Sequence, residues 1–251
     1  MTLPLAVAAG VAGVVTQMVF PFTDGGTVAL TILAVLLLAT ASLLHVAATR
    51  GAPSLVALVA VAGGGGLLAE TVGVHTGAPF GAYAYAGTLG PQLFGVPAVV
   101  PLAWLMMAYP SLLVARRLVG RRTVLVPALA AWALTTWDVF LDPQMVDAGH
   151  WSWRDPSPAL PGVEGIPLSN FAGWFAVAFV MCALLDRLVA SAGPSDDALP
   201  FALFLWTYAS SVLAHAAFFG RPSVALVGGI LMGTVALPLA TRRWRRQRVP
   251  A

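Results

Sequence analysis

The chain has 251 residues, of which 59% are hydrophobic and only 9% charged, with a formal net charge of +3. Ordinary soluble domains carry about a quarter charged residues, so this composition excludes a water-exposed globular surface. It predicts a single integral membrane domain over residues 1–251. The sequence has one cysteine, Cys182, which excludes disulfides and thiolate metal sites as organising features.

Apolar segments along the chain are long enough to cross a bilayer. A hydrocarbon core about 30 Å thick requires roughly 20 apolar residues of helix and does not tolerate a lipid-exposed strand edge. The candidate spans are about 4–22, 27–49, 54–72, 96–116, 123–141, 169–189, 199–219 and 222–240. The predicted fold is all-α, a polytopic transmembrane helical bundle of about eight spans, and the first apolar run is interpreted as a retained span.

The arginines predict how the bundle is oriented. All 13 basic residues are arginine. With eight spans, 11 of these 13 fall on one side: Arg50, Arg116, Arg117, Arg121, Arg122, Arg187, Arg242, Arg243, Arg245, Arg246 and Arg248. The positive-inside rule places this side, both termini and the basic tail 241–251 in the cytoplasm of a multi-pass cell-membrane protein. We interpret the tail as an anchor on membrane lipids and predict no nucleic-acid partner.

Two long loops lie on the opposite, outer side. Residues 73–95 and 142–168 are rich in Gly, Pro, Tyr and Trp, which is typical of folded caps or re-entrant segments over a cavity. The run Gly63 to Gly66 permits close helix contact or local unwinding just before Glu70.

Two carboxylates lie near the outer end of the fifth predicted span. Asp138 and Asp142 are four residues apart, which places them on one face of a continuous helix. Two close carboxyls repel each other's charge, so one of them keeps a proton and can serve as a general acid. The alternative is that Asp142, followed by Pro143, ends the helix and meets water.

Other polar residues map to the same depth. Glu70 and His75 form a candidate base with its orienting partner, although His75 could equally be a loop residue bonded to a carbonyl. Asn170 either orients a water or carboxyl or caps the sixth helix. His215 is interpreted as a packed core histidine, and His45 lies toward the arginine side, away from this group.

Aromatic residues are concentrated near the outer side. Their usual role is the interfacial belt of a membrane protein, but aromatic faces also line slots for long polyenes and stabilise carbocations. The sequence leaves both roles open for Tyr83, Tyr85, Trp104, Trp137, Trp151, Trp153 and Trp174.

Two stretches resemble a known family. The first is Glu70-Thr71-Val72-Gly73-Val74-His75-Thr76-Gly77, followed by Pro79-Phe80-Gly81-Ala82-Tyr83-Ala84-Tyr85, Leu89-Gly90 and Gly95-Val96-Pro97. The second is Asp138 through Asp142-Pro143, Trp151-Ser152-Trp153 and Gly165-Ile166-Pro167-Leu168-Ser169-Asn170-Phe171-Ala172-Gly173-Trp174. Their order and spacing resemble the membrane-integral carotenoid biosynthesis proteins, which include bisanhydrobacterioruberin hydratase and carotenoid 1′,2′-hydratases.

The resemblance implies a cofactor-independent carotenoid hydratase, which adds water across a terminal isoprenoid double bond to give a tertiary alcohol. We predict Asp138 as the first-choice acid, Asp142 as a further catalytic carboxyl, Glu70 with His75 as the base, and Asn170 as the residue that holds the water. An ionised carboxylate and nearby aromatic rings are expected to stabilise the cation. The predicted substrate-binding residues are Phe80, Tyr83, Tyr85, Trp137, Trp153 and Trp174. The expected partners are a carotenoid within the bilayer, membrane lipids and other membrane enzymes of the carotenoid pathway.

Three alternatives remain open at this stage. A carotenoid end-group cyclase would use the same acid chemistry and capture the cation with an internal double bond. A membrane prenyltransferase would hold Mg²⁺ and diphosphate on Asp138 and Asp142, but the outer side offers only Arg154 and Arg221 as cations. A proton-coupled transporter would require an inner polar set, of which His45 is the only candidate.

Overall fold

The computed structural model of the protein describes residues 2–23, 27–120, 124–192 and 197–247, the last five without their side chains. The predictions that involve Arg121, Arg122 and Arg248, and the side chains of Arg243, Arg245 and Arg246, lie outside the described residues.

Helices make up most of the described chain. They are α1 (Thr2–Val19), α2 (Val28–Leu58), α3 (Gly65–Thr76), α4 (Val100–Val119), α5 (Leu125–Asp147), α6 (Leu168–Leu188), α7 (Ala198–Ala217) and α8 (Pro222–Gln247). A short 3₁₀ turn, Phe20–Phe22, follows α1, and a π-helical segment, Val59–Gly64, joins α2 to α3. The all-α transmembrane bundle is therefore confirmed.

The second and third predicted spans form one continuous helical segment with a sharp turn inside it. Among the described residues, seven segments are long and apolar enough to cross a membrane, and one of them, Val28–Thr76, contains 49 residues. Its backbone leaves the helical region at Gly51 (φ 80°, ψ 175°). Before this residue His45 contacts Tyr109, and after it Gly66 lies against Trp104, so the chain reverses along α4. The reversal gives the eight passes that the sequence predicts.

The π-helical segment and the close helix contact both occur at the predicted glycine run. A Cβ at Gly66 would lie 2.8 Å from Cγ of Trp104, so only glycine lets α3 approach α4 this closely. The contact brings the next turn of α3, with Glu70, against the indole nitrogen of Trp104.

The fifth span is longer than predicted. Helix α5 continues through Pro143 to Asp147, so Asp142 does not end the helix and is only 3% exposed. The prediction that Asp142 meets water at a helix end is wrong, because Pro143 lies inside the helix and the loop that follows covers Asp142.

The two long loops fold over one end of the bundle, which we call the loop face. They contain six short strands within the described chain: β1 (Tyr83–Tyr85), β2 (Gln92–Leu93), β3 (Val96–Pro97), β4 (Trp151–Trp153), β5 (Ala159–Leu160) and β6 (Val163–Pro167). Strand β1 of the first loop pairs with β4 of the second, whereas β2 pairs with β3 and β5 with β6. The opposite end carries Arg50, Arg116 and Arg187, and we call it the arginine face.

Candidate functional site

Helices α4 and α5 form the centre of the bundle, and the candidate site lies beside them. In the most apolar stretch of each helix, 67% of the residues of α4 and 72% of those of α5 are buried, against 22% for α1. Carboxylates at such positions are costly in a membrane unless other polar groups solvate them. The structure therefore has to supply partners for Glu70, Asp138 and Asp142, which are all buried.

The carboxylate of Glu70 accepts three side-chain hydrogen bonds. Nε1 of Trp104 donates to Oε1 at 2.8 Å, the hydroxyl of Tyr85 donates to Oε2 at 2.9 Å, and Tyr83 also donates to Oε2. An ionised carboxylate offers about four acceptor positions, so three donors match an ionised Glu70 and leave one position on Oε1.

Glycines on the same face of α3 allow these donors to approach. Gly73 lies three residues after Glu70, and a Cβ there would lie 2.7 Å from the Phe80 ring and 2.9 Å from the Tyr83 hydroxyl. Together with Gly66, it leaves room for large aromatic side chains on both sides of Glu70.

The second carboxylate group joins α5 to α6. Nδ2 of Asn170 donates to Oδ2 of Asp138 at 2.9 Å and to Oδ2 of Asp142 at 2.5 Å. Nε1 of Trp151 donates to the other oxygen of Asp142 at 3.0 Å. The spacing of four residues thus places both carboxyls on one face of α5, as predicted. Asn170 does not cap α6, because the N-cap of that helix is Pro167.

The strand pair β1–β4 connects the two carboxylate groups. In its register Tyr83 lies opposite Trp153, and Tyr85 lies opposite Trp151. The two tyrosines donate to Glu70, and Trp151 donates to Asp142, so both carboxylates are held by one ribbon. Nε1 of Trp153 fixes the ribbon to the carbonyl of Phe80 at 2.9 Å.

The two tyrosines are neutral donors. Burial, followed by the charge of Glu70, raises the pKa of Tyr83 well above its ordinary value of 10.0. The same causes raise the pKa of Tyr85. Because both hydroxyls keep their protons, both can donate to an ionised Glu70 throughout the physiological pH range.

Aromatic rings enclose the space between the carboxylates. Trp104 stacks on Trp174 with ring centroids 3.9 Å apart. The Trp174 ring is also tilted against Phe80 and meets Trp137 edge-on. Trp104 is fully buried, so it is not part of an interfacial belt.

Two cavities meet at this site. The smaller, which we call the polar cavity after the carboxylates of Glu70 and Asp142 and the amide of Asn170, has a volume of about 60 Å³. Aromatic and aliphatic side chains form most of its wall. The larger, the apolar cavity, has a volume of about 400 Å³ and lies between α1, α2, α5 and α7. They share four lining residues, namely Thr31, Val35, Leu141 and Met145. The polar cavity therefore adjoins a space suited to an apolar chain.

Most of the predicted site residues are brought together. Phe80, Tyr83, Tyr85, Trp153 and Trp174 line the polar cavity, while Trp137 lines the apolar one. The predicted acid, Asp138, is fully buried but lies behind Asn170 and Asp142 and lines neither cavity.

His75 is not part of this cluster. Its side chain is exposed, and Nδ1 contacts the Thr71 carbonyl of its own helix at 2.8 Å. His215 is buried between the rings of Phe140 and Phe219, as expected for a packed core histidine.

Trp104 and Trp151 are site residues that the sequence did not identify as such. Both appear among the outer aromatics, but their donor roles depend on contacts with Glu70 and Asp142 that no local spacing reveals. Within the described residues no three His, Cys, Asp or Glu side chains are grouped as metal ligands would be.

Comparisons with known proteins agree on one family. The sequence profile of the family described as carotenoid biosynthesis protein matches residues 26–233. A bisanhydrobacterioruberin hydratase from Haloarcula japonica is 34% identical over 123 residues, which cover 47% of this chain and 40% of that relative. The alignment thus spans well under two thirds of the relative's length. No solved structure matches the chain significantly.

Proposed function

This chain belongs to the carotenoid biosynthesis protein family, and from that premise we propose that it is a carotenoid hydratase. The proposed reaction adds water across the terminal isoprenoid double bond of an acyclic or monocyclic carotenoid and gives a tertiary alcohol. The hydratase among its relatives supports this reaction type. The observation that carries the proposal is that two carboxylates, Glu70 and Asp142, line one polar cavity that adjoins an apolar one.

The apolar cavity suits the carotenoid chain. It lies among membrane helices, and its lining on α2 and α5 continues into the polar cavity. A polyene that occupies the apolar cavity would direct its terminal double bond past Leu141 and Met145 toward Asp142. Binding in a concave, mostly apolar space with few polar groups at one end is typical of sites that orient an apolar ligand.

The polar cavity suits the water. A single water requires a cavity of roughly 10–15 Å³, so a volume of about 60 Å³ has room for at least one. A water beside Glu70 could donate to the remaining acceptor position on Oε1. This space favours hydration over cyclisation, which uses no water.

In the proposed mechanism Asp142, in its neutral form, gives its proton to the less substituted carbon of the double bond. The positive charge then lies on the tertiary carbon, where the faces of Trp104, Trp153 and Trp174 stabilise it. Water attacks this carbon as Glu70 removes a proton from the water, and the tertiary alcohol forms. Transfer of that proton from Glu70 back to Asp142 restores the enzyme, so the net reaction consumes only water.

Asp142 replaces Asp138 as our first choice for the acid, because only Asp142 lines the polar cavity. Asp138 shares the Asn170 amide with it. Burial and the closeness of the second carboxyl both oppose loss of the proton that the Asp138–Asp142 pair holds, so one neutral acid remains until the substrate is in place.

Pigment analysis tests the proposal. The gene would be expressed in a host that makes acyclic and monocyclic carotenoids, with Glu70→Gln and an exposed control, Glu164→Gln, expressed in parallel. We expect pigments heavier by one water per reacted end with the wild type and the control only. Cyclised pigments of unchanged mass would show the cyclase instead, and unconverted pigments would contradict both.

We also propose that the arginine face is cytoplasmic, following the excess of arginine there. Membrane-impermeant thiol labelling tests this in a Cys182→Ala background. A cysteine at Ser191, on the arginine face, should react only after the cytoplasmic side is opened, and one at Ser157, on the loop face, should react in intact cells.

A further inference from the structure

A pocket of about 530 Å³ lies at the arginine face, on the opposite side of the membrane domain from the carboxylates. Among the residues that the structure describes, its charged lining consists of four arginines and two aspartates, which gives a formal charge of +2: Arg50, Arg116, Arg117, Arg187, Asp186 and Asp197. The proposed hydratase chemistry uses none of these residues.

Two of the arginines are held rigidly in place. The guanidinium of Arg116 donates to Oδ1 of Asp186 at 2.7 Å and to the carbonyls of Asp186 and Val189, both at 2.8 Å. It therefore binds the carbonyls at the C-terminal end of α6. Because these contacts are already made in the protein, the pocket requires little ordering of this side chain when a ligand binds.

The second fixed arginine is Arg50, beside the reversal at Gly51. Its side chain is 1% exposed, pairs with Asp197 and donates to the Tyr109 hydroxyl at 2.7 Å. The same hydroxyl contacts Nδ1 of His45 at 2.8 Å, so a polar chain extends from the pocket into the bundle. Such a chain keeps a positive charge buried at the floor of the pocket, where water screens it little.

The two remaining arginines lie at the rim. Arg117 belongs to the last turn of α4 and Arg187 to the last turn of α6. Arg187 is exposed, whereas Arg117 is half-buried. Apolar side chains, among them Leu113, Val189 and Phe201, line much of the rest of the pocket. A cationic rim above an apolar wall at the end of membrane helices matches the junction between a lipid headgroup and its acyl chains.

We propose that this pocket binds the phosphate group of an anionic phospholipid from the arginine-face leaflet. Guanidinium groups bind phosphate oxygens through paired, charge-assisted hydrogen bonds, and Arg117 and Arg187 place two further guanidinium groups at the rim of the pocket. Free phosphate offers the same oxygens without acyl chains, so the two sources are separable by experiment.

The test measures lipid binding and does not depend on catalysis. Purified full-length protein is placed in phosphatidylcholine nanodiscs with or without phosphatidylglycerol, and retained lipids are counted by native mass spectrometry while unfolding is followed by tryptophan fluorescence. We expect phosphatidylglycerol to be retained and to raise the unfolding temperature. In Arg117→Gln/Arg187→Gln its affinity should fall at least about tenfold, the loss expected for charge-assisted hydrogen bonds.

Two controls keep the result interpretable. Arg154→Gln removes one exposed arginine from the loop face and should leave phosphatidylglycerol retention unchanged. The single variant Arg187→Gln changes an exposed side chain and serves if the double variant does not fold. Equal retention in wild type and both rim variants, or an equal loss in Arg154→Gln, would overturn the proposal. Stabilisation by inorganic phosphate alone, lost in the rim variants, would support the phosphate site and assign its source to a soluble anion.

Discussion

The polar and apolar cavities share a wall of four residues but differ in size and lining. One, of about 60 Å³, contains two of the buried carboxylates. The other, of about 400 Å³, has no carboxylate among the described residues that line it. In the proposed hydratase, this difference would place the proton-transfer groups in one cavity and most of the substrate in the other. Changes in the polar cavity should act on kcat, and changes in the apolar cavity should act on KM.

The largest effect is expected for Glu70→Gln. The amide cannot take a proton from water, and general base catalysis is worth about 10²–10⁴-fold, so kcat should fall at least about a hundredfold. Steady-state assays with detergent-solubilised carotenoid measure this. An unchanged kcat would show that Glu70 is not the base. The matched control is Glu164→Gln, because Glu164 is an exposed acidic residue of the loop face.

The two aspartates should differ from each other. Asp142→Asn removes the group that faces the polar cavity, so we expect a loss of kcat comparable to that of Glu70→Gln. Asp138→Asn leaves the Asp142 carboxyl in the cavity and should retain more activity. Its pH profile should change, because Asp142 no longer shares a proton with a neighbouring carboxyl. If Asp138→Asn is the more severe variant in rate assays across pH, the acid is Asp138 and the sequence-based choice was right.

Trp104→Phe tests how strongly Glu70 depends on its partners. The substitution retains an aromatic ring on Trp174 but removes the donor to Oε1. A hydrogen bond to a charged group contributes about 1.5–3 kcal/mol, so we expect kcat to fall roughly tenfold to a hundredfold. Trp206→Phe provides a comparison, because its indole donates to Gln17 beside the apolar cavity. Equal losses in both variants would indicate a general packing effect.

The same residues show which parts of the fold and of the site the sequence predicts. The spans follow from hydrophobicity, and the spacing of Asp138 and Asp142 predicts a common helix face. The ribbon that joins Tyr85 to Glu70 and Trp151 to Asp142 was not predictable, because the register of β1 and β4 depends on two loops more than 60 residues apart in the chain. His75 was misplaced because its helix turns it toward solvent, away from the face of Glu70.

Filling the apolar cavity should give a smaller, different effect. Ala34 lines this cavity only, so Ala34→Phe takes up space without reaching a carboxylate. We expect KM to rise about tenfold with kcat changed less than about twofold, because the lost interaction is one of uniform binding. Leu36→Phe, which adds bulk on an exposed face of the same helix, should change neither constant. A fall in kcat alone would contradict the separation of the two cavities.

The smallest effect concerns the tyrosines in alkaline solution. Because the pKa of Tyr83 is raised in the folded protein, folding favours its neutral form. The resulting stability is present below the unfolded pKa of about 10 and is lost as the pH rises above it. Ultraviolet titration of folded protein between about pH 9 and 11 should therefore show equal tyrosinate signals for wild type and Tyr83→Phe/Tyr85→Phe. A larger wild-type signal, by two tyrosines, would show that these hydroxyls are not protected.

The most direct test of the proposed reaction determines whether the hydroxyl oxygen of the product comes from water. Purified wild-type protein in nanodiscs is given an acyclic carotenoid in ¹⁸O-labelled water, and the pigment is analysed by mass spectrometry beside Glu70→Gln and Asp142→Asn. If both carboxylates take part, the wild-type product gains one labelled water per reacted end. Neither variant should form this product. Labelled product from both variants at the wild-type rate would contradict it.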